Sequence, residues 1–573
     1  MSKLPVDVNP VLLEMQAYSP NRHPAPVELR LDGNEGPPPP EEILSLAVPG
    51  PEIWRRYPSA RTVEALIARR HGVPPEAVLV TAGADDALER AIRVAAGPGR
   101  RVVLTEPTFE MLPRYVRLAG GTPDFVPWWS GPFPVDRMIA RLAGDTAAVV
   151  VVSPNNPTGL AISGEELERL AAALGRRLLL LDHAYVELAD ADLTTRALAL
   201  PNVLVFRTLS KAWGCAGLRV GYVAGRPEVV ALLRRVGQPY PVSGPSLLAA
   251  EALLGDGGSY HRRYAEGIRS RRRRLAAALS DRGLVSLPSQ ANFVLARTPH
   301  AAWLRDALAG LGIAVRAFPG RPGLADRLRI TVPAADEELD RLLGAIDAAM
   351  APEALLFDMD GVLVDVASSY HETIGRTARR FGVELARGEI VAAKARGGAN
   401  DDWRLTRDLL AAHGVDVPLD AVVEVFEALY QGTPDVPGLK EGERLIPPRH
   451  VLERLAARLP LAVVTGRPLA DAREALERFA IGDLFATVVA MEDAPSKPDP
   501  APVRLALERL GAARGWLVGD TPDDVRAART AGAVPLGVVP PGRDDPASWT
   551  STLLTAGAAR VLPGIETLLE VLP

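Results

Sequence analysis

The sequence predicts an α/β protein built in two parts: a large, mostly parallel sheet domain completed by a small α+β domain, then a second, smaller α/β core with a helical cap. Three observations predict it. Apolar runs of strand length alternate with helical stretches from Val78 to Val223, and again from Ala354 to Val539. An amphipathic helix, EELDRLLGAIDAAM, stops at Met350, and a strand of buried character, ALLFD, starts almost at once. The 573 residues also exceed what one core holds, at roughly 150 residues per domain.

In the first half, AVLVT, RVVLTEP, AAVVVVSP, RLLLLDHAY, NVLVFRT and RVGYVAG read as strands of a parallel sheet covered by helices on both faces. This large domain occupies about 50–242. Segments before Pro51 and after Ser243, including a basic helix near Tyr260–Leu279 and a strand–helix finish at Arg327–Met350, form the small domain, so 1–352 is one unit. In 353–573 the strands are ALLFD, LAVVTG, ATVVAM, WLVGD and VPLGVV, and the strandless interval 366–459 reads as an inserted cap.

Hydrophobic residues at 47% and charged residues at 24% are ordinary for a globular chain. No apolar run approaches the ~20 residues of a membrane span, and MSKLPVDVNP has no secretory pattern. One cysteine, Cys215, allows no internal disulfide, and a net charge of −5 disfavours nucleic acid or anionic membranes. The expectation is a cytoplasmic protein with small-molecule substrates. Lysine stands only at positions 3, 211, 394, 440 and 497, almost all other positive charge being arginine. A lysine retained in such a chain marks chemistry closed to arginine, which stays protonated and is no amine nucleophile.

Lys211 ends TLSK (208–211), after SPNNPTG (153–159) and DHAY (182–185) and before GLRVG (217–221). Each motif lies at or beyond the C-terminal end of a predicted strand, where open parallel sheets place their ligands. An amine, a carboxylate and hydroxyl and amide donors in this order suit a pyridoxal cofactor. Over residues 5–350 these motifs resemble the fold-type-I aminotransferases, and the histidinol-phosphate aminotransferase family in particular. The resemblance implies that Lys211 bonds pyridoxal 5'-phosphate and shuttles the proton, that Asp182 pairs with the pyridinium nitrogen, and that Asn156 and Tyr185 donate to the phenolic oxygen. Gly83, Ala84 and Asp85, opening a helix whose free N–H groups favour an anion, would hold the cofactor phosphate with Ser210 and Arg219. Phe109 would stack on the ring. Tyr57, in RRYPSA, would reach the neighbouring subunit's cofactor, which implies a homodimer. Arg316 and Arg329 would hold the substrate phosphate, assisted by Tyr18. The chain departs from the family in LDGNEGPPPP, which could alter the substrate lid, and in His183, which should face away from the ring.

Asp358 and Asp360, in FDMDGVLVD, follow a strand with a spacing that turns both carboxylates to one side, one to attack phosphorus and one to handle the proton. Thr465 in VVTGRP, Lys497 in SKPDP, and Asp520 and Asp524 in VGDTPDD follow. This pattern is similar to the haloacid-dehalogenase (HAD) superfamily of phosphatases, which implies a HAD-like Rossmannoid domain. The resemblance implies Asp358 as nucleophile, Asp360 as acid/base, Thr465 and Lys497 on the phosphoryl group, and Mg2+ held by Asp358, Asp360, Asp520 and Asp524. GGANDDW (397–403) is a candidate substrate loop, or a plain glycine hinge.

Together these features predict a bifunctional enzyme that makes histidinol phosphate by transamination and hydrolyses it to histidinol. A decarboxylase or another phosphorylated-amine aminotransferase, a phosphatase of unrelated substrate, a phosphomutase, or a regulatory second half remain open alternatives.

Overall fold

The computed structural model describes residues 6–18, 22–255, 260–396, 401–543 and 545–572. The chain divides into two compact units, one made of residues 1–20, 31–299 and 316–339, the other of 21–30, 300–315 and 340–573. The helix Asp336–Met350 ends, and the strand Ala354–Phe357 begins, at the junction read from the sequence. The compact units divide differently, because three stretches upstream of the junction cluster with the C-terminal residues.

The first unit is built on a seven-stranded sheet. Its strands are β1 (Val78–Thr81), β2 (Arg101–Glu106), β3 (Thr122–Pro127), β4 (Thr146–Val152), β5 (Leu178–Asp182), β6 (Val203–Thr208) and β7 (Gly221–Ala224), in the spatial order β1-β7-β6-β5-β4-β2-β3. Every residue of β4 is buried, as a strand covered on both faces requires. Two features depart from the sequence reading. Strand β7 runs antiparallel to both neighbours, because the connection from β6 holds only a short 3-10 turn at Ala216–Leu218 instead of a crossover helix. Strand β3 escaped notice because prolines 123 and 127 disguise it; at a sheet edge a proline deprives no neighbour of a donor. Beside this sheet, β8 (Phe293–Arg297) pairs antiparallel with β9 (Arg327–Thr331).

The second unit has a six-stranded parallel sheet: β10 (Ala354–Phe357), β11 (Leu461–Val464), β12 (Phe485–Val489), β13 (Gly515–Gly519), β14 (Val534–Val538) and β15 (Arg560–Leu562), ordered β12-β11-β10-β13-β14-β15. Helices Tyr370–Arg380, Arg387–Arg396, Asp402–Ala412 and Leu419–Gln431 form the cap. The cap has a small core of its own around Ala378, Leu410 and Val422. Its two connections to the sheet pair as short antiparallel strands, Val364–Asp365 with Arg444–Leu445. The cap is thus narrower than 366–459, since helix Arg449–Ala456 lies beyond the second connection.

Within this unit, Trp516 on β13 is fully buried against Trp303, ring centroids 4.5 Å apart. Both indole N–H groups donate to carbonyls at the end of helix Asp336–Met350, Trp303 to Ala349 at 3.0 Å and Trp516 to Ala348 at 2.9 Å. Those carbonyls have no partner inside the helix, so the tryptophans complete them. No helix among the described residues is long and apolar enough to cross a membrane.

Candidate active sites

The C-terminal ends of β4, β5 and β6 deliver SPNNPTG, Asp182 and Lys211 to one edge of the first sheet. Lys211 Nζ donates to the Gly33 carbonyl at 3.0 Å and lies 5.7 Å from the centre of the Tyr185 ring. The Tyr185 hydroxyl accepts from Asn34 Nδ2 at 3.0 Å. Asn156 Oδ1 accepts from Arg329 at 2.7 Å, so its NH2 group is not used in that contact. Arg329 is buried, also donates to the Asp32 carbonyl at 2.6 Å, and sits opposite Arg316 in the strand register. Arg316 is held by Glu110 at 3.2 Å, and Tyr18 lies within electrostatic reach of Arg329.

At the start of helix Gly83–Ala95, Gly83 has φ +81°, and a Cβ there would come within 2.6 Å of Arg219 Nη2. Arg219 donates to Ser210 Oγ at 3.3 Å and to Asp85 at 3.2 Å. Gly83, Ala84, Asp85, Ser210 and Arg219 therefore form one cup, shaped by a glycine that admits the guanidinium. Phe109 packs half-buried against the hydrophobic core that includes Leu112, Tyr115 and Val150. Tyr57 is 83% exposed and stacks on Tyr240 at 4.8 Å, so within one chain it does not join the Lys211 cluster. His183 is buried against Thr194, at 3.1 Å, and burial pulls its pKa down to about 3, consistent with an uncharged structural role.

Asp182 is 4% exposed. Burial pushes its pKa up to about 7, against one backbone hydrogen bond from Ala184. A buried carboxylate in this position fits a protonated ring nitrogen, and with the anion cup it makes the donor set suitable for pyridoxal phosphate. Because the folded pKa lies above the ordinary 3.8, the folded cofactor-free chain holds a proton that the unfolded chain releases; this stability is complete below about pH 4 and is lost as pH rises through 7. Asp182→Asn is accordingly expected to raise the melting temperature of cofactor-free protein at pH 8 and leave it unchanged at pH 4. A fall at pH 8 in thermal unfolding would contradict that environment.

In the second unit, β10, β11 and β13 end at Asp358, Thr465 and Asp520. Asp358, Asp520 and Asp524 are buried, with ligand atoms all within 4.8 Å of one another. Lys497 Nζ bridges Asp358 at 2.6 Å and Asp524 at 2.5 Å, and donates to the Val464 carbonyl at 3.0 Å. Burial, opposed by Lys497 and reinforced by Asp524 and Asp360, raises Asp358 to about 7; burial with Asp524 and Asp358 drives Asp520 far above its ordinary range. Converging oxygens that repel one another fit a hard divalent cation such as Mg2+. Thr465 is buried, its Oγ1 accepting from the Arg467 backbone N–H at 3.1 Å.

Asp360 departs from the sequence reading as a metal ligand. Its carboxylate lies outside that cluster and binds Arg467 at 2.6 Å. Arg467, 2% exposed, demands such compensation; it also meets Glu443 at 3.0 Å and the face of Tyr370, 4.9 Å from the ring centre. Sequence reading missed Arg467 and Glu443 among so many charged residues. It also missed Asn34, which takes φ +54°; an asparagine directly after Gly33, a residue type enriched in that conformation, was the available signal in LDGNEG. Residues 397–400 of the candidate substrate loop lie outside the described residues; Asp401 caps the helix from Asp402.

The model of aminotransferase class I and II matches residues 52–346. The chain belongs to the aminotransferase class I and II family. Beyond that match this aminotransferase carries a haloacid dehalogenase-like hydrolase domain, matched over 352–532. It is 37% identical over 359 residues to a histidinol-phosphate aminotransferase of Rhodospirillum centenum, covering 59% of this chain and 97% of the relative. An aromatic amino acid aminotransferase of Mycobacteroides abscessus is 35% identical over 341 residues, 58% and 96% of the two chains. An imidazoleglycerol-phosphate dehydratase of Phytophthora nicotianae is 43% identical over 237 residues; the match takes in 39% of this chain and about half, 52%, of that relative. The crystal structure of histidinol-phosphate aminotransferase from Sinorhizobium meliloti with pyridoxal-5'-phosphate superposes with TM-score 0.55 at 26% identity, covering 60% of this aminotransferase and 97% of that chain.

Proposed function

We propose that residues 1–352 convert imidazole-acetol phosphate and glutamate into histidinol phosphate and 2-oxoglutarate, and that residues 353–573 hydrolyse histidinol phosphate to histidinol. These would be successive steps of histidine biosynthesis. The observation that carries the reading is Arg329, a buried guanidinium bound to Asn156 and set opposite Arg316, near the lysine that would do the chemistry. A paired arginine fork suits a phosphate on the amino substrate. The names of the relatives, histidinol-phosphate aminotransferase and imidazoleglycerol-phosphate dehydratase, support the pathway.

Pyridoxal phosphate, when bound, supplies the electron sink. Lys211 Nζ moves the proton from the substrate Cα, Asp182 keeps the ring nitrogen protonated, and Tyr185 and Asn156 donate to the phenolic oxygen. Gly83, Ala84, Asp85, Ser210 and Arg219 hold the cofactor phosphate, and Phe109 stacks on the ring. In the second unit Asp358 attacks phosphorus as the ester P–O bond breaks. Asp360, released from Arg467, protonates the leaving oxygen and then takes a proton from the water that cleaves the aspartyl phosphate. Thr465 and Lys497 hold the phosphoryl oxygens, and Mg2+ on Asp358, Asp520 and Asp524 would offset the gathered negative charge. The exposed Tyr57 supports a homodimer in which it reaches the second subunit's cofactor. A single cysteine supports a cytoplasmic site of action.

Purified chain with Mg2+ and histidinol phosphate is expected to release inorganic phosphate, and with 2-oxoglutarate and pyridoxal phosphate to form glutamate. Phosphate release from other esters only would overturn the second substrate, and CO2 release from a phosphorylated amino acid, with no glutamate formed from histidinol phosphate, would make the first half a decarboxylase. The Mycobacteroides relative favours a second reading, an aromatic amino acid substrate. Faster glutamate formation from phenylalanine than from histidinol phosphate would establish it.

A further inference from the structure

Among the many arginines of this chain, Arg543 is one whose surroundings are unlike those of a surface charge. It follows β14 in the loop PPGR, and its guanidinium carbon lies 3.7 Å from the centre of the Trp549 ring. Trp549 is 5% exposed, and its Nε1 donates to the backbone oxygen of Asp520 at 2.9 Å. The platform under Arg543 is therefore anchored to a residue of the carboxylate cluster. Stacking on an indole fixes the guanidinium plane and sends its N–H groups out sideways.

Arg543 Nη1 is buried and meets no hydrogen-bond acceptor among the described residues. A buried cationic donor without an acceptor is costly, and folded proteins satisfy nearly all such groups. Arg543 lines a cavity of about 330 Å3 together with Asp358, Asp360, Asp520 and Lys394. Lys394, another cation of that cavity, differs in forming an ion pair at hydrogen-bond distance, with Asp402 at 3.0 Å. Arg543 feels the charge of Asp520, and its buried Nη1 remains a donor directed to some further acceptor oxygen. We infer that Arg543 is a substrate-binding residue of the hydrolase half, donating through Nη1 to a phosphoryl oxygen of the phosphate monoester while Trp549 holds its plane. The inference rests on the phosphatase reading above, and adds to it a residue outside the four motifs that suggested that reading.

The test uses the full chain with Mg2+, inorganic phosphate as the probe and p-nitrophenyl phosphate as the substrate. Arg543→Gln is expected to weaken phosphate binding by about tenfold or more, both in calorimetric titration and as product inhibition. KM should rise in parallel, with kcat within about twofold. Arg543→Lys, which keeps the charge but not the fork, should fall between the two, and equal unfolding midpoints check that the variants are folded. Unchanged phosphate affinity and KM in folded Arg543→Gln overturn the inference while leaving wild-type hydrolysis, and so the phosphatase reading, standing. If the wild-type chain neither hydrolyses phosphate esters nor binds phosphate, both fall together.

Discussion

Lys211→Ala is expected to lower transamination by at least about 10^3-fold and to remove the visible absorption band of bound pyridoxal phosphate, while Mg2+-dependent phosphate release stays at the wild-type rate. The size of the effect follows from what surrounds the amine. Lys211 Nζ sits between the Gly33 carbonyl and the Tyr185 ring, with Asp182 and Asp85 near enough to interact with it electrostatically. The next strand end offers Arg219, which cannot replace it, because a guanidinium stays protonated and forms no carbon–nitrogen bond of this kind. Steady-state transamination and an absorption spectrum decide the matter. Retention of activity near the wild-type level would make Lys211 a structural cation and overturn the first site.

Asp358→Asn should do the converse, cutting phosphate release by at least about 10^3-fold with transamination intact. An amide nitrogen or oxygen is a poor nucleophile toward phosphorus, and no neighbour takes over: Asp360 is turned to Arg467, and Asp524 is held by Lys497 and Thr521. The substitution also removes one of three mutually repelling carboxylates, so the fold should not suffer. Burst and steady-state phosphate assays, run beside the transamination assay, measure both. Loss of both activities in a folded variant would mean that the two sites are not independent.

The residues that were legible in the sequence share a physical reason. Strands such as β4 and β5 announce themselves because burial on both faces demands an unbroken apolar run. Lys211 and Lys497 stand out because lysine is scarce in this chain, and Lys497 meets Asp358 and Asp524, carboxylates of the motifs on either side of it. What stayed hidden is equally physical. The direction of β7 leaves no trace in hydrophobic periodicity, which reports which side a residue faces and not which way the strand runs. Arg467 and Arg543 were lost in a background where arginine is the ordinary surface charge; only burial, and for Arg543 a missing acceptor, separates them from the rest. The sequence places Asp360 beside Asp358 just past the end of β10, but its turn toward Arg467 depended on residues far along the chain, Arg467 itself and the Glu443 that shares it.

The paired tryptophans also bear on how such a fusion persists. A descendant that shed its N-terminal half at residue 352 would keep Trp516 on β13 while losing Trp303 and the Ala348 carbonyl that receives the indole N–H. It would begin life with an uncovered aromatic patch and a donor left to water. Separation therefore requires repainting that strand before the cut, whereas staying joined requires nothing, and the architecture acts as an evolutionary ratchet.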